Sequence, residues 1–262
     1  METLILMSLV INADDFGKSE EVNKAIAECF DKGYIHRTTI MMNMPYVKEA
    51  LEISEKNGFM DKVGIHLNIT EGKPLTDSIK KLPDFCDKDG TFNAVFYQSK
   101  LKRLYMNKTA VDAIYTELKT QIDKYSEFGF TLFHVDSHHH SHTCYPVFKA
   151  LKRLSKEYDF TSVRLSRNLY IGGSRLNYLY KQFYNSQVKK ICKSTTELFG
   201  SYKDAKAYCK PEGGVGTGTV SFPNLVAEKS VEIMVHPMYS NDGVLMDSDT
   251  PFSEEITLYE NK

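Results

Sequence analysis

Apolar runs with strand character alternate with helical periodicities along most of this chain, and that alternation constrains the fold more than any single motif. Leu4 to Ile11 is a β-type run. Ser19 then offers a helix cap, with Glu20 and Glu21 at the positive helix end. Val22, Ala25, Ile26, Cys29 and Phe30 follow with helical spacing up to a stop at Gly33. Thr38 to Met42 predicts a second strand. Val47, Ala50 and Leu51 predict a short helix closed near Gly58, and Val63 to Ile69 a third strand. Val111, Ile114, Tyr115, Leu118, Ile122 and Tyr125 form an amphipathic helix ending at Gly129. A strand over 131–136, a helix opened by Pro146, a strand from Ser162 to Leu165 and a last clear strand from Val231 to Val235 complete the pattern. Two stretches depart from it. Residues 73–108, with Pro74, Pro83 and Gly90, read as an irregular excursion over one face. Residues 170–225 read as tyrosine-rich helical stretches followed by Gly213-Gly214-Val215-Gly216-Thr217-Gly218, and the tail after Gly243 is polar.

Strands alternating with helices imply parallel βαβ units. The chain shows no internal repeat and no linker-like shift in composition, so one domain over residues 1–262 is expected. Polar clusters follow several separate strands: Asp14-Asp15, His66 with Asn68, a histidine run, and His236. A barrel gathers the C-terminal ends of all its strands around one mouth, whereas an open sheet gathers only the pair at its switch point. The expected fold is therefore an α/β single-domain (β/α) barrel, distorted by the excursions at 73–108 and 170–225.

Composition removes several function classes. The formal net charge of −1 provides no electrostatic footprint for nucleic acid or an anionic membrane. No apolar run approaches the about 20 residues of a membrane helix. Met1 to Ile11 lacks a basic flank and a small-residue cleavage site, and reads as a buried strand rather than a secretion signal. The five cysteines are odd in number and lack a C-x-x-C pair, which argues against a disulfide framework or zinc knuckle. Reduced thiols and a cytoplasmic setting are expected, with Cys144 a buried structural residue near the histidines.

Five of the eight histidines fall in His134-Val135-Asp136-Ser137-His138-His139-His140-Ser141-His142, at the exit of a predicted strand. Histidine is the commonest metal ligand and titrates near neutrality, so the run points to a metal or acid–base site. Not all five can bind one ion, and period-2 alternation puts His134, Asp136 and His138 on one side. Asp14 and Asp15 would face opposite ways in a continuing strand; a turn at Phe16-Gly17 would let both reach one site. Capping of the following helix would account for one of them. A metal resolves the repulsion of two such carboxylates by taking one as ligand and leaving the other as base. His66 shares a strand face with Gly64 and Asn68. His236, before Pro237, is a candidate general acid. His36 is expected on the surface. The glycine-rich 213–218 stretch lacks the ending of a P-loop and reads as a flexible loop, and Asp15-Phe16-Gly17 is a chance match to the kinase metal motif.

Taken together, Asn12-Ala13-Asp14-Asp15-Phe16-Gly17, Gly64-Ile65-His66-Leu67-Asn68 followed by Gly72-Lys73-Pro74-Leu75, His134-Val135-Asp136-Ser137-His138-His139-His140, and Glu232-Ile233-Met234-Val235-His236-Pro237 resemble the motifs of the YdjC-like carbohydrate deacetylases, the group that includes chitooligosaccharide deacetylase. The motifs stand in the family's order from the first strand to the last. Ser141 departs from the small apolar residue common there, and residues 170–225 match least. The resemblance implies a (β/α) barrel related to polysaccharide deacetylases, one divalent metal ion (magnesium or zinc), and hydrolysis of the acetamide of a small N-acetylated sugar by metal-bound water. Carried over by residue, Asp15, His66 and His138 would be metal ligands, Asp14 the base and His236 the acid. Arg164, within Val163-Arg164-Leu165-Ser166-Arg167, would contact substrate or orient a carboxylate, and Asn68 and His140 would contact substrate. A homodimer is the expected assembly.

Three rivals have their own residues. An Fe(II) oxygenase would use His134, Asp136 and His236 as a 2-His-1-carboxylate set, although strand–helix alternation does not suit its usual all-β scaffold. A glycoside hydrolase would pair Asp14 with Asp136. A metal-dependent sugar-binding module would bind without turnover.

Overall fold

The computed structural model describes residues 8–169, 174–209, 221–248 and 250–254. The chain begins with β1 (Leu9–Phe16), α1 (Glu20–Asp31), β2 (Arg37–Ile40), α2 (Val47–Lys56) and β3 (Val63–Leu67). Three short helices follow, α3 (Asp77–Lys80), α4 (Val95–Gln98) and α5 (Lys100–Leu104), then the long α6 (Lys108–Glu127), β4 (His134–Ser137), α7 (Tyr145–Leu154) and β5 (Ser162–Val163). After α8 (Arg175–Val188) come β6 (Leu198–Ser201), α9 (Tyr202–Tyr208), α10 (Phe222–Glu228) and β7 (Val231–Val235). A small antiparallel sheet, β8 (Pro237–Tyr239), β9 (Leu245–Asp247) and β10 (Thr250–Pro251), ends the described chain.

Seven parallel strands run in the order β5-β4-β3-β2-β1-β7-β6. This is the sequential order of a barrel interrupted between β5 and β6, and the sheet curls accordingly into an incomplete barrel with helices outside. The gap is bridged irregularly: the amides of Asn168 and Leu169, downstream of β5, both donate to the Phe199 carbonyl of β6, at 3.1 and 3.0 Å. The distorted barrel expected from the alternation is thus the fold found.

Helix punctuation follows the local chemistry. The Ser19 hydroxyl accepts from the Val22 amide at the start of α1, and Gly33 adopts φ +69° after its end. Pro146 occupies the first turn of α7, where its missing N–H is harmless. α6 seats Ile114, Leu118, Ile122 and Tyr125 in the core, and the Tyr125 hydroxyl lies 2.8 and 2.6 Å from the carbonyls of Val63 and Leu132. The helix is thereby tied to the starts of β3 and β4.

Several expectations need correction. The first strand runs to Phe16, through polar residues that an apolar pattern would exclude; they are buried because they pair with one another. Residues 73–108 are irregular over most of their length, as expected, but they are packed against the core through buried Ile79, Phe85, Phe92 and Phe96, with the short helices α3 to α5 inside the excursion. β6 sits inside the stretch read as helical, its two apolar residues being too few to set a period. His36 is half-buried, its Nδ1 accepting from the Ile11 amide at 3.0 Å, which requires the unprotonated nitrogen. The glycine-rich 213–218 loop lies outside the described residues. No helix among the described residues is long and apolar enough to cross a membrane.

Candidate active site

The C-terminal ends of β1, β3, β4, β5 and β7 converge on one cluster of buried polar side chains. The chain turns at Phe16-Gly17 as expected, the Lys18 amide donating to the Asp15 carbonyl at 3.1 Å with Gly17 at φ +87°, and a bulge just before it lets β1 contribute both aspartates. Asp15 itself takes φ +71°, and the β1–β2 register slips between Ala13 and Phe16. A left-handed aspartate is uncommon but tolerated, and here it directs Asp14 and Asp15 into the same space.

Asp15 is the point on which two histidines meet. Its Oδ1 lies 3.2 Å from His66 Nε2 and 2.8 Å from His138 Nδ1. Behind His66, the Nδ1 atom contacts Asp136 Oδ1 at 2.7 Å, and the Thr39 hydroxyl donates to Asp136 Oδ2 at 3.0 Å. His138 Nε2 lies 2.8 Å from Glu71 Oε2. Gly64 permits the close packing of these strands: a Cβ there would stand 2.9 Å from the His134 carbonyl of β4.

Asp14 belongs to an adjoining network centred on Arg164, which has 0% exposure. The guanidinium holds both oxygens of Asp14 at 2.7 Å, Asp136 Oδ2 at 2.7 Å and Glu232 Oε1 at 2.6 Å. Arg37 approaches the other oxygen of Glu232 at 3.2 Å and donates to Asn12 Oδ1, while Asn12 donates to Asp14. Phe199 of β6 lies under the Arg164 guanidinium at 4.8 Å. The arginine therefore orients carboxylates and is closed to solvent.

His236 follows β7 and is half-exposed, its Nε2 3.9 Å from Asp14 Oδ2 and its Nδ1 3.9 Å from Asp247 Oδ1. Its backbone amide donates to Asp247 at 2.6 Å, so β9 sets its position. It opens onto a cavity of about 360 Å³ lined also by Arg167, Ser201, Lys203, Asp204 and Asp247.

The remaining histidines divide by partner. His134 Nδ1 contacts Ser162 at 2.7 Å, and His142 Nδ1 contacts Ser137 at 2.6 Å. Both are buried, and burial pushes them down, His142 to about 4. His139 and His140 are consecutive left-handed residues at φ +53° and +52°. Such conformations cost about 1–3 kcal/mol each and concentrate at functional sites. His139 is exposed and stacks on Tyr97, whereas His140 packs edge-on to Phe199 with its Nδ1 buried and unpartnered. Asn68 is buried, and its amide is engaged with Thr70, Asn43 and the Glu71 carbonyl.

The charges are strongly coupled. Burial opposes ionisation of Asp14, yet the Arg164 guanidinium holds its carboxyl well below the usual range. Burial likewise opposes ionisation of Asp15, and His138 and His66 together pull it well down. Burial resists a charged His66, but Asp136 and Asp15 push it up to about 10. His138 moves up for the same reason, through Asp15 and Glu71. The acidic side chains of Asp14, Asp15, Asp136 and Glu232 are buried together around Arg37 and Arg164, an interior rich in oxygen donors beside which a divalent cation would find favourable partners.

Ligand atoms of Asp15, His66 and His138 all lie within 4.8 Å of one another, as do those of Asp14, His66 and Asp136. The first set combines one carboxylate with two imidazoles, a donor set suited to a divalent ion with open positions. Neither set contains His134 or His236, so the oxygenase combination is not assembled. Arg164 clamps Asp14 and Asp136 from between them, so the two are not set as the opposed acid and nucleophile or base of a glycosidase.

Sequence reasoning brought Asp14, Asp15, His66, His138, Arg164 and His236 to one place. It missed Arg37, Glu71 and Asn12, and did not single out Glu232. A charged residue in the centre of the apolar run Val231–Val235 was the available sign of Glu232; no local pattern marked Glu71.

Comparison with known proteins places the chain in a family. Residues 8–260 match the family described as YdjC-like protein. The chain is 30% identical over 255 residues to a carbohydrate deacetylase of Thermoanaerobacter pseudethanolicus, covering 95% of this chain and 88% of the relative. It is 32% identical over 238 residues to one of Halalkalibacterium halodurans, covering 90% and 87%. Among solved structures, an Enterococcus faecalis protein with a proposed role in cellobiose-phosphate cleavage superposes with a TM-score of 0.64 at 23% identity, over 89% of this chain and 82% of that one, a likeness of fold. The chain is a member of the YdjC-like family.

Proposed function

We propose that this protein is a metal-dependent carbohydrate deacetylase that hydrolyses the acetamide of small N-acetylated sugars. The observation that carries the reading is the convergence of His66 Nε2 and His138 Nδ1 on Asp15 Oδ1, beside an ionised Asp14 and a half-exposed His236. The names of the relatives support the reaction class.

Asp15, His66 and His138 would hold the ion, magnesium or zinc. When bound, a divalent ion supplies Lewis acidity to a carbonyl and lowers the pKa of water. Asp14 accepts the proton of the attacking water. Arg164 keeps it ionised and fixes the direction of its lone pairs, and the same arginine is shared with Asp136 and Glu232, so its charge is not spent on Asp14 alone. His236 donates a proton to the departing amine, giving acetate and a free amino sugar. Its opening onto the Arg167–Lys203 cavity is where the sugar would lie. Asn68 acts through the loop it secures, and His140 faces the site from beside Phe199.

The test is acetate release from N-acetylated mono- and oligosaccharides, with and without chelator and with single metals restored. Release that stops on chelation and returns with a divalent ion is the expected result. Full activity after complete chelation would overturn the metal-dependent reading.

A further inference from the structure

The two histidines that meet at Asp15 present different ring nitrogens. His66 turns Nε2 towards Asp15 Oδ1 and rests Nδ1 on Asp136 Oδ1 at 2.7 Å. His138 turns Nδ1 towards the same Asp15 oxygen and rests Nε2 on Glu71 Oε2 at 2.8 Å. A ligating histidine ordinarily donates its other ring N–H to a carboxylate or carbonyl, and that bond decides which nitrogen keeps a lone pair for the metal. We propose that Glu71 is the positioning residue of His138: by accepting the Nε2 proton it makes Nδ1 the nitrogen offered to the divalent ion, as Asp136 makes Nε2 the nitrogen offered by His66. The inference rests on the metal-dependent reading above and assigns a role within that site.

The loop that carries Glu71 is held from several directions. Its amide donates to Asn68 Oδ1 at 3.1 Å, and its carbonyl accepts from Asn68 at 2.7 Å and Asn43 at 3.0 Å. Two buried polar residues of α6 clamp the flanks. Gln121 exchanges hydrogen bonds with the Asn68 backbone at 2.9 and 2.6 Å. Glu117 accepts from the amides of Leu75 and Thr76 at 3.0 and 2.9 Å. Gly72 adopts φ +74°, and a Cβ there would stand 2.7 Å from Met44 Sδ.

Lys18 completes the arrangement, with Nζ 2.9 Å from the Glu71 oxygen that meets His138 and 3.5 Å from Asp15 Oδ2. The Glu71 carboxyl therefore stands between the His138 ring and a lysine, with the oxygen that meets Nε2 also facing the ammonium. Its side chain is 37% exposed, against 0% for Asp136, so truncating it opens no core cavity.

The experiment compares wild type, Glu71→Ala and Glu71→Gln by chelator-competition titration with zinc and by ¹⁵N-histidine NMR of the zinc-loaded proteins. Wild type should show zinc on His138 Nδ1 with a protonated Nε2, and the reverse at His66. Glu71→Ala should weaken zinc binding about 10–100-fold and lose the single His138 ring state. Glu71→Gln, whose side-chain oxygen can still accept from Nε2–H, should restore most of the affinity. Unchanged zinc affinity in Glu71→Ala, or zinc on His138 Nε2 in wild type, would overturn the proposal. Both measurements are made without sugar, so they are decided separately from acetate release, whose failure would count against the deacetylase reading.

Discussion

Arg164 and Asp14 face each other through two parallel hydrogen bonds of 2.7 Å, with the arginine fully buried and the aspartate 2% exposed. The pair joins β5 to β1 across the barrel interior, 150 residues apart in sequence. It keeps an acceptor ionised where solvent cannot, and it makes the base and the scaffold parts of one network.

Replacing Asp14 by Asn preserves shape and removes the acceptor charge. Acetate release should fall by about 10²–10⁴-fold, the usual range for a general base, while metal content measured by elemental analysis stays at the wild-type level. Wild-type turnover in this variant would remove Asp14 from the base role.

Arg164→Met leaves Asp14, Asp136 and Glu232 buried without their shared partner. Loss of one side of a buried ion pair costs about 3–5 kcal/mol, to be read from chemical denaturation. The pH dependence has a definite sign. Asp14 has a depressed folded pKa, so its contribution is present above the ordinary aspartate value of 3.8 and is lost as pH falls towards the lower folded value. Without Arg164 burial is no longer offset and the Asp14 carboxyl is no longer depressed, so this acid-side loss should shrink or disappear. A variant with the stability and acid limb of wild type would contradict the network.

The metal-free protein should behave differently on the alkaline side. His66 is raised from 6.5 to about 10, so its stabilising charge is fully present below pH 6.5 and is lost as pH rises through about 10. Melting temperatures of the metal-free form should therefore decline over that window. Metal uptake must displace this proton, so affinity should rise with pH across the same range. Calorimetry in buffers of different ionisation enthalpy measures the proton count, and heats independent of buffer would exclude the displacement.

His236→Gln should retain metal and fold, because the backbone amide rather than the ring makes the 2.6 Å bond to Asp247. Turnover of acetamides should drop by about 10²–10⁴-fold. Aryl acetates, whose leaving group needs no proton, should be hydrolysed nearly as fast as by wild type. Equal losses on both substrates would mean that His236 is not the acid.

Much of this was legible in one dimension. The helix over Lys108–Glu127 has its apolar stripe where the spacing places it, and Ser19, Gly33 and Pro146 punctuate helices as their local chemistry dictates. Periodicity and capping depend on neighbours a few residues away, so they survive without knowledge of the fold. β6 was not legible, because Leu198–Ser201 becomes a strand only by pairing with β7. The polar half of β1 was hidden for the same reason: Asn12 and Asp14 look like a loop until Arg37 and Arg164 stand opposite them.

By itself the sequence determined the kind of fold, the presence of a histidine–aspartate centre and the strands that end in it, since hydrophobic period and residue chemistry are local properties. The family resemblance singles out His138 among the five clustered histidines, and only the tertiary structure sets its Nδ1 on Asp15. It also decided that a bulge at Asp15, ahead of the Phe16-Gly17 turn, unites the two aspartates, and that a glutamate from an unremarkable loop stands behind His138. Those outcomes depend on where separate strands and loops place their side chains in a shared, water-poor interior. There a buried charge persists only beside a partner, and the partner can lie anywhere in the chain.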